Sequence, residues 1–213
     1  MMPSSFPPLP QVAAGLLPVL VFLGALKLLD SFKLVRPRAL GVALLAGAAA
    51  ATVAYFGQTA LLALLDVDWR PFSRTLSPVI EETAKAAFVV YLLARRRIGF
   101  PIDAAILGFA VGTGFVLAES VYYMNAYPDG GWLVWLMRGF GTAIMHGGTT
   151  CLFALVSKHL FDRMPEGAFY LFAPGLGLAV VLHTLFNLFL LPPLLTGGAW
   201  SDWLYRALVL LVI

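Results

Sequence analysis

The sequence predicts an all-α membrane protein: a polytopic bundle of six to seven transmembrane helices, N-terminus outside. Three observations carry that expectation. Of 213 residues, 61% are hydrophobic and only 12% charged, against about a quarter charged in soluble domains, and mean hydropathy is +0.89. Apolar runs close to the roughly 20 residues that cross a bilayer recur along the chain. Between them, Lys and Arg gather in alternate turns, as orientation in a membrane requires. The whole chain, 1–213, reads as one integral-membrane domain with its polar motifs at 77–191.

The first span covers about residues 11–29. Residues 1–10 carry four prolines and no Lys or Arg, so the positive n-region of a secretory signal is missing and the run reads as a retained span. A basic turn (Asp30, Lys33, Arg36, Arg38) leads to span two, 39–65, whose many Ala and Gly residues suit close helix packing. Residues 66–75 read as a short polar loop. Span three is expected to start near Ser77, where Ser77 and Pro78 make a good N-cap and first-turn pair, and to end at Arg95-Arg96-Arg97. Span four, 102–126, stops at Tyr127-Pro128-Asp129-Gly130-Gly131. Span five, 132–160, is too long to lie wholly in hydrocarbon, and span six, 168–191, ends before Pro192-Pro193. The last apolar stretch, 200–213, is short and contains Arg206; it is either an incomplete seventh span or an interfacial helix. The turns after spans one, three and five are basic, and Arg70 and Arg74 after span two are offset by Asp66 and Asp68. This pattern puts the three basic turns in the cytoplasm. Nothing resembles a nucleic-acid patch, and the single Cys151 allows no intrachain disulfide.

The chain has only four glutamates, and three of them, Glu81, Glu82 and Glu119, fall inside apolar segments. An ionised group near the bilayer centre costs roughly 3 to 10 kcal/mol, so such residues face a protein interior or a wet cavity. At about 1.5 Å per residue, Glu81 and Glu82 lie about 6–7 Å in from Ser77 and Glu119 roughly 5 Å below the outer face of span four. His183, with Asn187 one turn on, reaches the same outer layer along span six. His146 falls nearer mid-membrane unless span five begins above the bilayer. Convergence in depth argues for one site built from four helices.

Each group also has a plainer reading. Glu81 and Glu82 are in place to offset a helix dipole, and Glu81 with Lys85 forms an i,i+4 ion pair in the favourable order. Lys85 cannot serve two adjacent acids fully, which leaves one as a candidate general base. Glu119 shares a stripe with Gly108, Gly112, Phe115 and Tyr122 or Tyr123; the glycines suit helix packing, and Arg138 or Lys85 would pair the acid structurally. His159, near the end of span five, reads as a solvated terminus. There is no HExxH and no Gly-x-Ser-x-Gly.

Four segments resemble the PrsW-like intramembrane proteases, part of the wider superfamily of CAAX prenyl endopeptidases and bacteriocin-processing enzymes. They are Glu81-Glu82-x-x-Lys85, Phe115-x-x-x-Glu119 with Tyr122-Tyr123 after it, Arg138 followed by His146, and His183-x-x-x-Asn187. They occur in the family's order and span about half the chain. The CAAX branch has a histidine where this chain has Glu119, which favours the PrsW-like branch. The resemblance implies a peptidase in the plasma membrane of a bacterium, cutting single-pass substrates such as anti-sigma factors on the extracytoplasmic side.

On that reading Glu81, helped by Glu82, activates a water, and His183 and Asn187 donate to the oxyanion. Glu119 and His146 position the water or pass a proton to the leaving amine. Lys85, Phe115, Tyr122 and Arg138 support the site or the substrate. The reaction runs either without a cofactor, the version favoured here, or with a divalent metal such as zinc held by Glu82, Glu119, His146 and His183. Two other classes compete: a proton-coupled transporter or ion channel, which needs polar residues through the inner half too, and a non-catalytic scaffold that binds a partner helix.

Overall fold

The computed structural model describes residues 8–29, 35–126, 132–164 and 169–190. Among these residues it is all helical: α1 Leu9–Leu29, α2 Pro37–Leu65, α3 Trp69–Ala94, α4 Pro101–Ala126, α5 Trp132–Arg163 and α6 Ala173–Leu185. A 3₁₀ turn, Phe169–Phe172, precedes α6, and a π-helical turn, Phe186–Leu190, follows it. Four segments are long and apolar enough to cross a membrane: Pro37–Leu65, Pro101–Ala126, Arg138–Arg163 and Phe169–Phe189; Leu9–Ala25 is a shorter apolar helix. α3 carries Glu81, Glu82 and Lys85 in its middle, and all three turn inward and are buried. The protein is a membrane helix bundle. The stretch 200–213 lies outside the described residues.

The start of α3 differs from the expectation. α2 ends at Leu65, Asp66 takes a left-handed conformation (φ 49°), and α3 begins at Trp69 with Asp68 as its N-cap residue. The polar residues 70–75 are therefore helical, and Ser77 and Pro78 lie inside the helix instead of capping it. Two features permit this. Pro71 falls in the first turn, where a backbone N–H has no helical acceptor to lose. Ser73 and Thr75 turn their hydroxyls back onto the carbonyls of Arg70 and Pro71, so their side chains do not compete for the helical amides.

α4 is the centre of the bundle, packed on α5 and α2 and also touching α1 and α3. From Asp103 to Val116 it is buried almost throughout. Glycine makes the close crossings possible. A Cβ on Gly108 would stand 2.7 Å from the carbonyl oxygen of Thr150, and one on Gly112 would collide with the backbone of His146 and Gly147. On the other flank, side chains at Gly47 and Gly114 would run into α4 and α2 respectively. The glycines at 108 and 112 thus dock α4 on α5 and set the level at which His146 meets it.

Candidate active site

The C-terminal half of α2, the N-terminal half of α3, the C-terminal part of α4 and the start of α5 meet at one end of the bundle. There they enclose a cavity of about 1270 Å³. Glu81, Glu119, His146, His183, Asn187 and Arg138 all line it. Glu82 and Lys85 do not; they lie behind its wall.

The two neighbouring acids have different surroundings. On a helix of 3.6 residues per turn, adjacent residues point about 100° apart. Glu82 faces α5 and α6, where its Oε1 meets His183 Nδ1 at 2.7 Å, Lys85 Nζ at 2.7 Å and Thr149 Oγ1 at 3.2 Å. Glu81 faces α2 and the cavity. Its Oε1 accepts from Ser77 Oγ at 2.7 Å and from Gln58 Nε2 at 2.8 Å. Its Oε2 is buried without a hydrogen-bond partner, 3.7 Å from His183 Nε2. Lys85 pairs with Glu82, an i,i+3 contact, and not with Glu81 as the i,i+4 spacing suggested.

The two imidazoles meet edge to face with ring centroids 4.9 Å apart. Because Glu82 takes the Nδ1 side of His183, its Nε2 is turned to the cavity with a lone pair, the orientation a carboxylate behind a histidine imposes in metal sites. His146 Nδ1 faces Lys85 Nζ at 3.1 Å, and its Nε2 lies 3.2 Å from Glu119 Oε2. Phe115 supports this layer: its ring stacks 4.9 Å from that of His146 and lies 5.0 Å from Lys85 Nζ. Glu119 Oε2 also lies 3.5 Å from Arg138 Nη2, the first of the two structural pairings expected for this acid, whereas Lys85 pairs with Glu82.

Three of these side chains, Glu81, His146 and His183, each offer a ligand atom within 4.8 Å of the others. One carboxylate and two imidazoles are the donor types of a catalytic zinc site that keeps a position for water. The orphaned Glu81 Oε2 and the outward His183 Nε2 fit that use. Of the metal set expected from the sequence, His146 and His183 belong to this group; Glu119 lies beside it, and Glu82 Oε1 meets His183, Lys85 and Thr149.

A family model described as PrsW family intramembrane metalloprotease matches residues 36–213. The chain belongs to that family. It is an intramembrane peptidase and an integral membrane protein, and its substrate is accordingly a membrane protein. No curated protein and no solved structure matches the chain.

Other expected residues fall as follows. Asn187, in the π-helical turn, donates to the Ser73 carbonyl at 3.1 Å, which ties that turn to the first turns of α3 and takes one of the amide's hydrogens away from an oxyanion. Tyr122 is half-exposed on the cavity wall, its ring 5.2 Å from that of Tyr55. His159 is exposed, as a solvated terminus requires. Three residues that the motifs do not include also serve the site: Gln58, Ser77 and Thr149. The first carried a signal, since a lone amide in an apolar span calls for an interhelical partner.

The level of the site also shifts. Glu81 and His146 lie about 18–21 Å from the starts of α3 and α5, whereas Glu119 and His183 lie about 10 Å from the C-terminal ends of α4 and the π-helical turn. α3 and α5 therefore project beyond α4 and α6 at the cavity end, which is how His146 reaches its partners.

Proposed function

We propose that this single domain hydrolyses a peptide bond of a membrane-anchored protein near the extracytoplasmic face of a bacterial plasma membrane. The observation that carries this reading is the meeting, in one cavity, of Glu81, His146 and His183 from three helices with Glu119 from a fourth. Among the described residues, Arg36 and Arg38 at the start of α2, Arg95 to Arg97 after α3 and Arg163 at the end of α5 lie away from the cavity, which supports an opening to the outside and an N-terminus on that side.

Glu81, His146 and His183 would hold a divalent ion, zinc by donor type. When bound, zinc supplies polarisation of the scissile carbonyl and a more acidic water. Glu82 keeps His183 oriented through Nδ1, and Gln58 with Ser77 holds Glu81. Among the three acids Glu119 has the most accessible side chain, 20% against 10% for Glu81 and 2% for Glu82. That supports Glu119 as the general base. Glu119 takes a proton from water as the water oxygen bonds to the carbonyl carbon, then gives it to the nitrogen as the C–N bond breaks. The base moves from Glu81, expected from the motif, to Glu119.

One contact favours the metal-independent reading as a second possibility. An ammonium at Lys85 donates to His146 Nδ1, which leaves the ring proton on Nε2, beside Glu119. A metal at that nitrogen has to displace the proton.

The experiment is cleavage of single-pass membrane peptides by purified protein in liposomes, with elemental analysis and chelation alongside. The metal reading expects one bound zinc per chain, lost in Glu81→Ala and His183→Ala, and activity that chelators remove. Full activity in a chelated, zinc-free sample would leave only the metal-independent mechanism. No cleavage of any peptide by protein with zinc in place would sink the peptidase assignment.

A further inference from the structure

Arg138 is a buried cation whose donors are not used up. Its side chain is 5% exposed, and it lines the cavity from the α5 side. The Tyr123 ring, 4.2 Å from the guanidinium carbon, fixes the plane of the group. Among the described residues, Nε and Nη2 make no hydrogen bond. Those two nitrogens form one edge of the guanidinium, the edge that meets a carboxylate with two parallel N–H groups. Glu119 balances the charge without filling the edge: its single oxygen, Oε2, is divided between Nη2 at 3.5 Å and His146 Nε2 at 3.2 Å, and it too has no hydrogen-bond partner. Buried donors of a charged group left unmatched are strongly destabilising unless something else accepts from them.

We propose that Arg138 is a substrate-binding residue, its Nε–Nη2 edge taking an oxygen acceptor of the bound peptide two to four residues from the bond that is cut. The proposal rests on the reading of the cavity as the peptidase site. Position follows from the helix: Arg138 precedes His146 by eight residues, about 12 Å along α5, and the side chain reaches part of the way back. An extended peptide covers that span at about 3.3 Å per residue. The acceptor is either a side-chain carboxylate or a main-chain carbonyl. Both present the oxygen the edge requires, and a peptide entering past the Tyr55–Tyr122 ring pair brings one or the other to it.

The test compares wild type, Arg138→Lys and Arg138→Gln on single-pass peptides in zwitterionic liposomes. It reads kcat and KM, binding of uncut or reduced-amide peptide by fluorescence anisotropy, and thermal unfolding. Arg138→Gln is expected to raise KM and the peptide Kd about ten- to hundredfold, as loss of hydrogen bonds from a charged donor requires; because Glu119 also loses its counter-charge, kcat falls too, and the Kd of uncut peptide is the deciding readout. Arg138→Lys, which keeps the charge and loses the fork, falls between, and reports on the site if Arg138→Gln does not fold. Replacing acidic substrate residues within four positions of the cut by amides separates the sources. If wild type then binds no better than Arg138→Gln, the acceptor is a carboxylate; if the gap persists, it is a main-chain carbonyl. Equal KM and Kd in wild type and both folded variants would overturn the assignment, as would a fall in kcat alone. If wild type binds a peptide through Arg138 but cuts none, the peptidase reading fails and the binding residue stands.

Discussion

α4 joins two regions built on opposite terms. From Asp103 to Val116 the helix is wrapped by α2, α3 and α5, with glycines letting backbones touch and apolar side chains such as Ile106, Val89 and Phe153 filling the core. From Leu117 onward the same helix borders the cavity and carries Glu119, Tyr122 and Tyr123. In the closed half, charged groups end on near neighbours: Asp103 Oδ2 accepts from the amides of Gly99 and Phe100 at 3.2 and 2.9 Å, and Lys158 pairs with Asp162 one turn away. In the open half, polar groups reach between helices. The contrast teaches that cohesion and chemistry occupy different levels of the bundle. It also weakens the transporter reading, since an ion path needs interhelical polar groups through both levels.

The largest effect that sharpens this contrast is expected from Glu119→Gln. The amide keeps the shape of the side chain and cannot accept the proton, so kcat should fall about 10²- to 10⁴-fold. Metal content should hold, because Glu81, His146 and His183 are all kept, while thermal stability falls to some extent because buried Arg138 loses its counter-charge. A fully active Glu119→Gln protein would return the base to Glu81.

Gly112→Val tests the reverse dependence. The added methyls meet the backbone of His146 and Gly147, which cannot move aside as a flexible side chain would. Overpacking of this kind costs roughly 1–3 kcal/mol or more, and the strain falls on the residue that aligns His146. A fall in thermal midpoint together with a fall in cleavage is expected. Normal stability with normal activity would show that the two halves are not joined through this crossing. The scaffold reading predicts sensitivity here and silence at Glu119, so the pair of variants separates it from the peptidase.

Much of this arrangement is legible in the sequence, and the reason is energetic. Acids and imidazoles in apolar spans must find one another or water, so depth gathers Glu81, Glu82, Glu119 and His183; His146, nearer mid-membrane by that measure, joins them through the resemblance. Their division of labour was not visible. Whether Glu81 or Glu82 faces the cavity turns on about 100° of helix rotation, which is fixed by the packing of α3 on α5 and α6. Ser77 and Pro78 misled for a related reason: a Ser-Pro pair reads as a helix start, but the chain before it also satisfies helical rules. Gln58 lay 23 residues before Glu81 on another helix, and no spacing rule connects them.

Within the site, Glu82→Gln asks whether the acid behind the wall acts through His183. The expected result is a loss of about 10- to 100-fold in zinc affinity, the range for a partner that orients a metal-binding histidine. Competition against a chromophoric chelator measures it. Affinity equal to wild type would mean that the 2.7 Å contact to Nδ1 holds the helices together without steering the ring.

The smallest effect, and the one that reaches furthest from the motifs, concerns Gln58. Ser77 and Gln58 both donate to Glu81 Oε1, one from α3 itself and the other across from α2. With that oxygen doubly engaged, the carboxylate is held so that Oε2 points toward His183. Gln58→Ala removes one donor and leaves Ser77 in place, so a loss of up to about tenfold in zinc affinity is expected, at the weak end of such supporting contacts. Because both donors act on one oxygen, combining Gln58→Ala with Ser77→Ala should cost more than the sum of the two single changes. Neither change should matter further once Glu81 is alanine. Strict additivity, or an undiminished effect in the Glu81→Ala background, would place the role of Gln58 in binding α2 to α3, on the packed side of the comparison instead of the chemical one.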